Sequence, residues 1–127
     1  MELLELTREA PPVSWMNEEA AQKLEACFDM ELETVPAGET RQTGYRFAFL
    51  LRGRGTVRTE EGEAPAGAVF GLRRGEDGHR YDPVETEFRA ETECRVLWLS
   101  FDAAVTACYA ACWFHARLFR ELEALEL

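Results

Sequence analysis

Four basic side chains, Arg73, Arg74, His79 and Arg80, fall within eight residues of an otherwise acidic chain, interleaved with Gly71, Gly75 and Gly78. Glycine turns expose backbone N–H groups, and guanidinium groups add paired donors. The stretch therefore has the chemistry to hold a carboxylate or a phosphate. It reads equally as a solvated loop whose cations offset Glu76, Asp77 and Asp82. The binding reading predicts that Gly71, Arg73, Arg74, His79 and Arg80 contact a small, anionic effector.

A second grouping is Cys108, Cys112 and His115, at i, i+4 and i+7 of a helical register. Two thiolates and an imidazole on one face have the donor chemistry for a metal or haem. A closed zinc site needs a fourth ligand and haem needs a pocket, and neither is legible. On one helix face, cysteine more often packs as a small hydrophobe. The expectation is packing, with no metal and no cofactor. Cys27, on an apolar helix face, and Cys94, in a buried strand, read as inert. Only two histidines are present, His79 and His115, and no Ser/His/Asp grouping assembles around them. The chain is not expected to be an enzyme.

The elements that must carry these residues follow from where the breakers stand. All nine glycines lie between Gly38 and Gly78, and the last proline is Pro83. The chain therefore divides into an N-terminal segment (1–30), a glycine-punctuated middle (31–101) and a breaker-free end (102–127). Asn17, followed by Glu18 and Glu19, predicts a capped helix from about Glu18 to Phe28, with Leu24, Cys27 and Phe28 on its apolar face. The middle reads as short strands. Phe47, Phe49 and Leu51 alternate with Ala48 and Leu50 across 45–52. A further strand runs 56–59, Glu61-Gly62-Glu63 and Ala66-Gly67 are turns, and 68–72 is a strand. Val84, Thr86, Phe88 and Ala90 share one face. In 95–100, Val96 and Trp98 oppose Leu97 and Leu99. Many short strands without intervening helices predict a mainly β roll or jelly roll.

The end is predicted to be one long helix from about Asp102 to Leu127. One stripe runs Val105, Cys108, Cys112, His115, Phe119 and Leu122; another runs Ala111, Phe114, Leu118 and Leu125. Two apolar stripes need two surfaces, the roll and a second subunit. The heptad-like first stripe is the expected seam of a homodimer.

Bulk properties bound the rest. The 127 residues suit one domain. A formal charge of −10 repels phosphate backbones, so this segment is not expected to bind nucleic acid by itself. No basic, apolar leader opens the chain and no window reaches a membrane-spanning length, which predicts a cytoplasmic protein with reduced thiols.

Several strings, in order, resemble the effector domain of Crp/Fnr-type regulators, the cyclic-AMP receptor class. Val35-Pro36-Ala37-Gly38-Glu39 is similar to the turn entering that roll. Phe49-Leu50-Leu51-Arg52-Gly53 through Val57 resembles its apolar run, glycine and alternating strand. Gly67-Ala68-Val69-Phe70-Gly71 resembles the start of its phosphate-binding cassette, Ala90–Leu97 its last strand, and Cys108–Leu118 the entry to its long helix. The likeness spans residues 13–122. It implies a double-stranded β-helix with a C-terminal dimerisation helix, in a domain that senses a small molecule for a bacterial transcription regulator. It also implies a helix-turn-helix after the long helix, where this chain ends at Leu127; DNA would be contacted only through that part.

Two departures from the pattern matter. Cyclic-nucleotide binders of that family place a glutamate directly after the cassette glycine and an arginine before a small residue. Here Gly71 precedes Leu72, and the corresponding stretch reads Asp82-Pro83-Val84-Glu85-Thr86. Two carboxylates would face an incoming phosphate, so cyclic AMP is not the expected signal. Three other readings fit parts of the chain: the cupin sensor of arabinose-regulator-like proteins, a small cupin enzyme, and a degenerate dimerisation module without ligand. Gly53-Arg54-Gly55-Thr56-Val57, His79-Arg80-Tyr81 and Val96–Asp102 resemble the cupin sensor, whereas the helix before the roll argues against it.

Overall fold

The computed structural model of the chain describes residues 2–8, 10, 13–27, 30–75, 81–101, 117, 118 and 120–122, with the side chains of 2, 23–27 and 74 outside the description. Two helices come first, α1 (Glu2–Thr7) and α2 (Glu18–Cys27). Ten strands follow: β1 (Glu31–Val35), β2 (Thr40–Gln42), β3 (Arg46–Arg52), β4 (Gly55–Thr59), β5 (Gly62–Pro65), β6 (Val69–Phe70), β7 (Leu72–Arg74), β8 (Tyr81–Pro83), β9 (Glu87–Ala90) and β10 (Cys94–Ser100). The α2 start is capped as its sequence predicts, since the Ala20 amide donates to Asn17 Oδ1 at 2.9 Å.

The strands form two antiparallel four-stranded sheets, ordered β1-β10-β3-β6 and β2-β9-β4-β5, with β7 and β8 pairing as a separate ribbon. In the first sheet β3 and β10 lie side by side, each with apolar residues on both faces. One face, with Ala48, Phe70, Cys94, Val96 and Trp98, meets Phe88 and Ala90 of the second sheet inside the roll. The other, with Phe47, Phe49, Leu97 and Leu99, packs under Leu3, Leu6, Ala20 and Ala21 of the helices and under Leu118 and Leu122. A sheet covered on both sides loses the polar-out alternation of a half-exposed one. That is why 47–51 reads as an unbroken apolar run.

Corrections to the sequence reading are local. The strand predicted over 68–72 is broken at Gly71, whose φ of +87° ends β6 and starts β7. The stretch 84–86 lies outside any strand rather than at the start of β9. The turn expected at Glu61-Gly62-Glu63 falls on Glu60 and Glu61, with Gly62 already opening β5, and β1, β2, β5, β8 and the helix α1 were not predicted. Residues 117, 118 and 120–122 are helical. The rest of the long helix predicted over 102–127 lies outside the described residues, as do Val105, Cys108, Cys112, His115 and Phe119 of the predicted seam. Leu122, the remaining seam residue, is 1% exposed and belongs to the chain's own core, on the same side as Leu118 four residues earlier. Among the described residues, no helix is long and apolar enough to cross a membrane.

Candidate functional site

Where β6 ends the first sheet, the two sheets part and leave a cavity of about 420 Å³. It is lined by Val57 and Thr59 of β4, Glu60 and Glu61 of the β4–β5 turn, Val69 to Arg73, and Pro83 to Thr86. Gly71 is its pivot. A Cβ there would stand 3.0 Å from Arg46 O, 3.1 Å from the Phe47 Cα and 3.1 Å from Thr43 Cγ2, and the positive φ disfavours any side chain. Glycine alone brings β7 this close to β3.

The adjoining lip, 84–86, is held by a small buried network. The Val84 amide donates to Gly71 O at 3.0 Å, and the Thr86 amide to Thr43 Oγ1 at 2.9 Å. The Thr43 hydroxyl donates to Val84 O at 3.3 Å and the Thr86 hydroxyl donates there at 2.8 Å. Thr43 and Thr86 are 1% and 2% exposed, so the hydroxyls take the place of water. Thr43→Val strands the buried Thr86 amide and is expected to cost about 1–3 kcal/mol in a urea unfolding titration. Thr43→Ser keeps the hydroxyl and should recover most of that loss. Equal stability of the two variants would contradict the network.

Behind Phe70, the one aromatic side chain in the described lining, the roll interior is aromatic. Phe70 stacks on Phe88 with centroids 4.8 Å apart at 7°, and meets Trp98 edge-on at 5.7 Å. Trp98 is pinned from the far side, its indole N–H donating to Glu33 Oε1 at 2.9 Å, with the Arg46 guanidinium 4.5 Å from its ring centroid. Glu33 in turn accepts from Arg41 Nε at 2.9 Å.

Of the five effector contacts predicted from sequence, Gly71 and Arg73 line the cavity. Arg74 ends β7, its side chain outside the description, and His79 and Arg80 lie outside the described residues. Arg73 is exposed and stands directly across the ribbon from Asp82, a neighbour of opposite charge. Glu85, one of the two carboxylates expected to face a phosphate, does reach the cavity. Glu60 and Glu61 were legible only as part of a turn, because the second sheet brings them to the site across the fold. Cys94 lies away from this lining. It is buried, its thiol pushed up chiefly by burial, with Sγ donating to the Thr92 and Arg54 carbonyls at 3.2 and 3.3 Å, which agrees with an inert role.

No protein-family model and no curated protein sequence matches the chain. Solved structures do. The N-terminal domain of a transcriptional regulator from Streptomyces coelicolor A3(2) aligns with a TM-score of 0.54 at 17% identity, over 94% of this chain and 90% of that one. The Catabolite Activator Protein of Thermus thermophilus aligns at 0.52 and 14% identity, over 90% of this chain and 55% of that one. A cAMP-bound PfPKA-R aligns at 0.53 and 14% identity, over 96% of this chain and 46% of that one. The two sheets, the helices beside them and the cavity at Gly71 are thus built on the fold of the cyclic-nucleotide-binding domains, the fold used by Crp/Fnr-type regulators.

Proposed function

We propose that the chain is a small-molecule-sensing effector domain of a Crp/Fnr-type transcription regulator, acting by binding rather than by catalysis, and that its signal is not a cyclic nucleotide. The observation that carries this reading is the cavity of about 420 Å³ lined from both sheets, with the glycine-pivoted ribbon and the adjoining threonine-braced lip beside it. A partly enclosed space that combines apolar side chains with fixed polar groups suits a metabolite. Glu85 in the lining would repel a phosphate, and Leu72 follows Gly71 where the resembling cyclic-nucleotide binders carry a glutamate.

Signal transfer follows from the packing. The same sheet that walls the cavity carries Leu97 and Leu99 against Leu118 and Leu122. A ligand with different affinities for two arrangements of that contact would shift the C-terminal helix. In this reading the helix pairs with a second copy through Val105, Cys108, Cys112, His115 and Phe119, while Leu118 and Leu122 hold it to the roll. DNA contact belongs to a separate helix-turn-helix, and the setting is the cytoplasm.

The test is thermal unfolding of the chain across a metabolite panel, repeated on Thr59→Trp, which fills the cavity from a half-buried position. At least one compound should raise the melting temperature in a concentration-dependent manner, and Thr59→Trp should abolish the shift. No stabilising compound, or a shift that survives Thr59→Trp, would overturn the reading.

A further inference from the structure

The geometry points to a specific ligand class for this cavity: a small organic cation, an apolar body carrying a protonated amine, taken in preference to an anion of the same shape. The inference rests on the sensor reading of the same site and reverses the anionic effector suggested by the arginines.

The wall is apolar, with Val57, Val69, Phe70, Leu72 and Val84, which suits an organic body rather than a hydrated ion. The rim carries three carboxylates that come from two directions. Glu60 and Glu61 approach from the turn of the second sheet, and Glu85 from the braced lip. Neither Glu60 nor Glu61 has an ion-pair partner among the described residues. Glu85 accepts one long hydrogen bond, from the Gly44 amide at 3.3 Å. Among the described residues, Arg73 is the only cation in the lining, and Asp82 stands directly opposite it. Among the described residues of the lining, three carboxylates stand against one guanidinium, an excess of negative charge. Charge complementarity at a partly shielded rim sets which ligands are admitted more than how tightly they pack. The lip that carries Glu85 is fixed by Thr43 and Gly71, so its backbone is held in place before a ligand arrives.

The experiment follows amide chemical shifts of the whole chain at neutral pH during titration with three probes of one shape: 2-phenylethylamine, 2-phenylethanol and phenylacetate. The amine should produce saturable shifts at Glu60, Glu61, Gly71, Leu72, Glu85 and Thr86, and phenylacetate should produce none. Glu60→Gln and Glu85→Gln, both exposed and so compatible with folding, should each weaken the amine several-fold, and together at least tenfold. Glu93→Gln removes the same charge at an exposed position outside the lining and should change nothing. Phenylacetate or 2-phenylethanol binding as tightly as the amine would overturn the cation inference while leaving the sensor reading intact. So would amine binding unaffected by the glutamine variants. Silence of all three probes would also overturn it, and the metabolite panel with Thr59→Trp then decides the sensor reading separately.

Discussion

Trp98→Ala should lower the unfolding free energy by about 3–5 kcal/mol, the cost of emptying a large aromatic site in a packed interior. Trp98 is fully buried at the centre of β10, edge-on to Phe70, and it bridges the apolar interior to the Glu33–Arg41 pair. Removing it opens a void between the sheets and takes the indole donor from Glu33. For a domain of this size the melting temperature should fall on the order of 10 °C or more. Trp98→Phe keeps a ring and loses only the N–H, so it should cost less, about 1–2 kcal/mol. A Trp98→Ala variant within 1 kcal/mol of the wild type, by urea titration, would contradict the packing described for the roll interior (a threshold of one hydrogen bond's worth).

Gly55→Ala is the second large effect, for a different reason. Gly55 opens β4 where β9 passes closest, and an added Cβ would stand 2.5 Å from Arg89 O and 2.6 Å from Phe88 Cε1. One of these is backbone and the other an aromatic that already stacks on Phe70. Neither can yield without moving the second sheet, so a loss of about 3 kcal/mol is expected, the upper range for overpacking. Gly67→Ala is the matched control. Its Cβ would meet only Val69 O at 3.9 Å, and its φ lies outside the positive range. That variant should be neutral or slightly stabilised, through the unfolded chain's lost freedom. If both variants unfold at the same denaturant concentration, the close approach of β4 and β9 is wrong.

Legibility of the fold in the sequence depended on how local each signal was. The alternation of Val96 and Trp98 against Leu97 and Leu99 survives intact, because each face of β10 meets a different apolar layer. The Asn17 cap is a contact across three residues and was equally readable. Strands β1 and β2 were not, since Glu31–Val35 and Thr40–Gln42 are mostly polar. They are strands because β10 and β9 pair with them from far along the chain, Glu31 opposite Trp98 and Thr40 opposite Arg89. The site divides the same way. Gly71 and Arg73 stood out by residue type. Glu60, Glu61 and the Thr43–Thr86 contact became functional candidates only once the sheets placed them together, the last across 43 residues. The seam residue Leu122 illustrates a third case, where a stripe pattern marks burial without saying which surface does the burying.

On the fold of cyclic-nucleotide-binding domains, we propose a cavity that serves a signal other than cyclic AMP. Calorimetric titration of the chain with cyclic AMP tests it most directly. We expect no saturable heat up to millimolar nucleotide, since Leu72 rather than a glutamate follows Gly71 and no arginine stands within Asp82–Thr86. Stoichiometric binding that Thr59→Trp abolishes would contradict it.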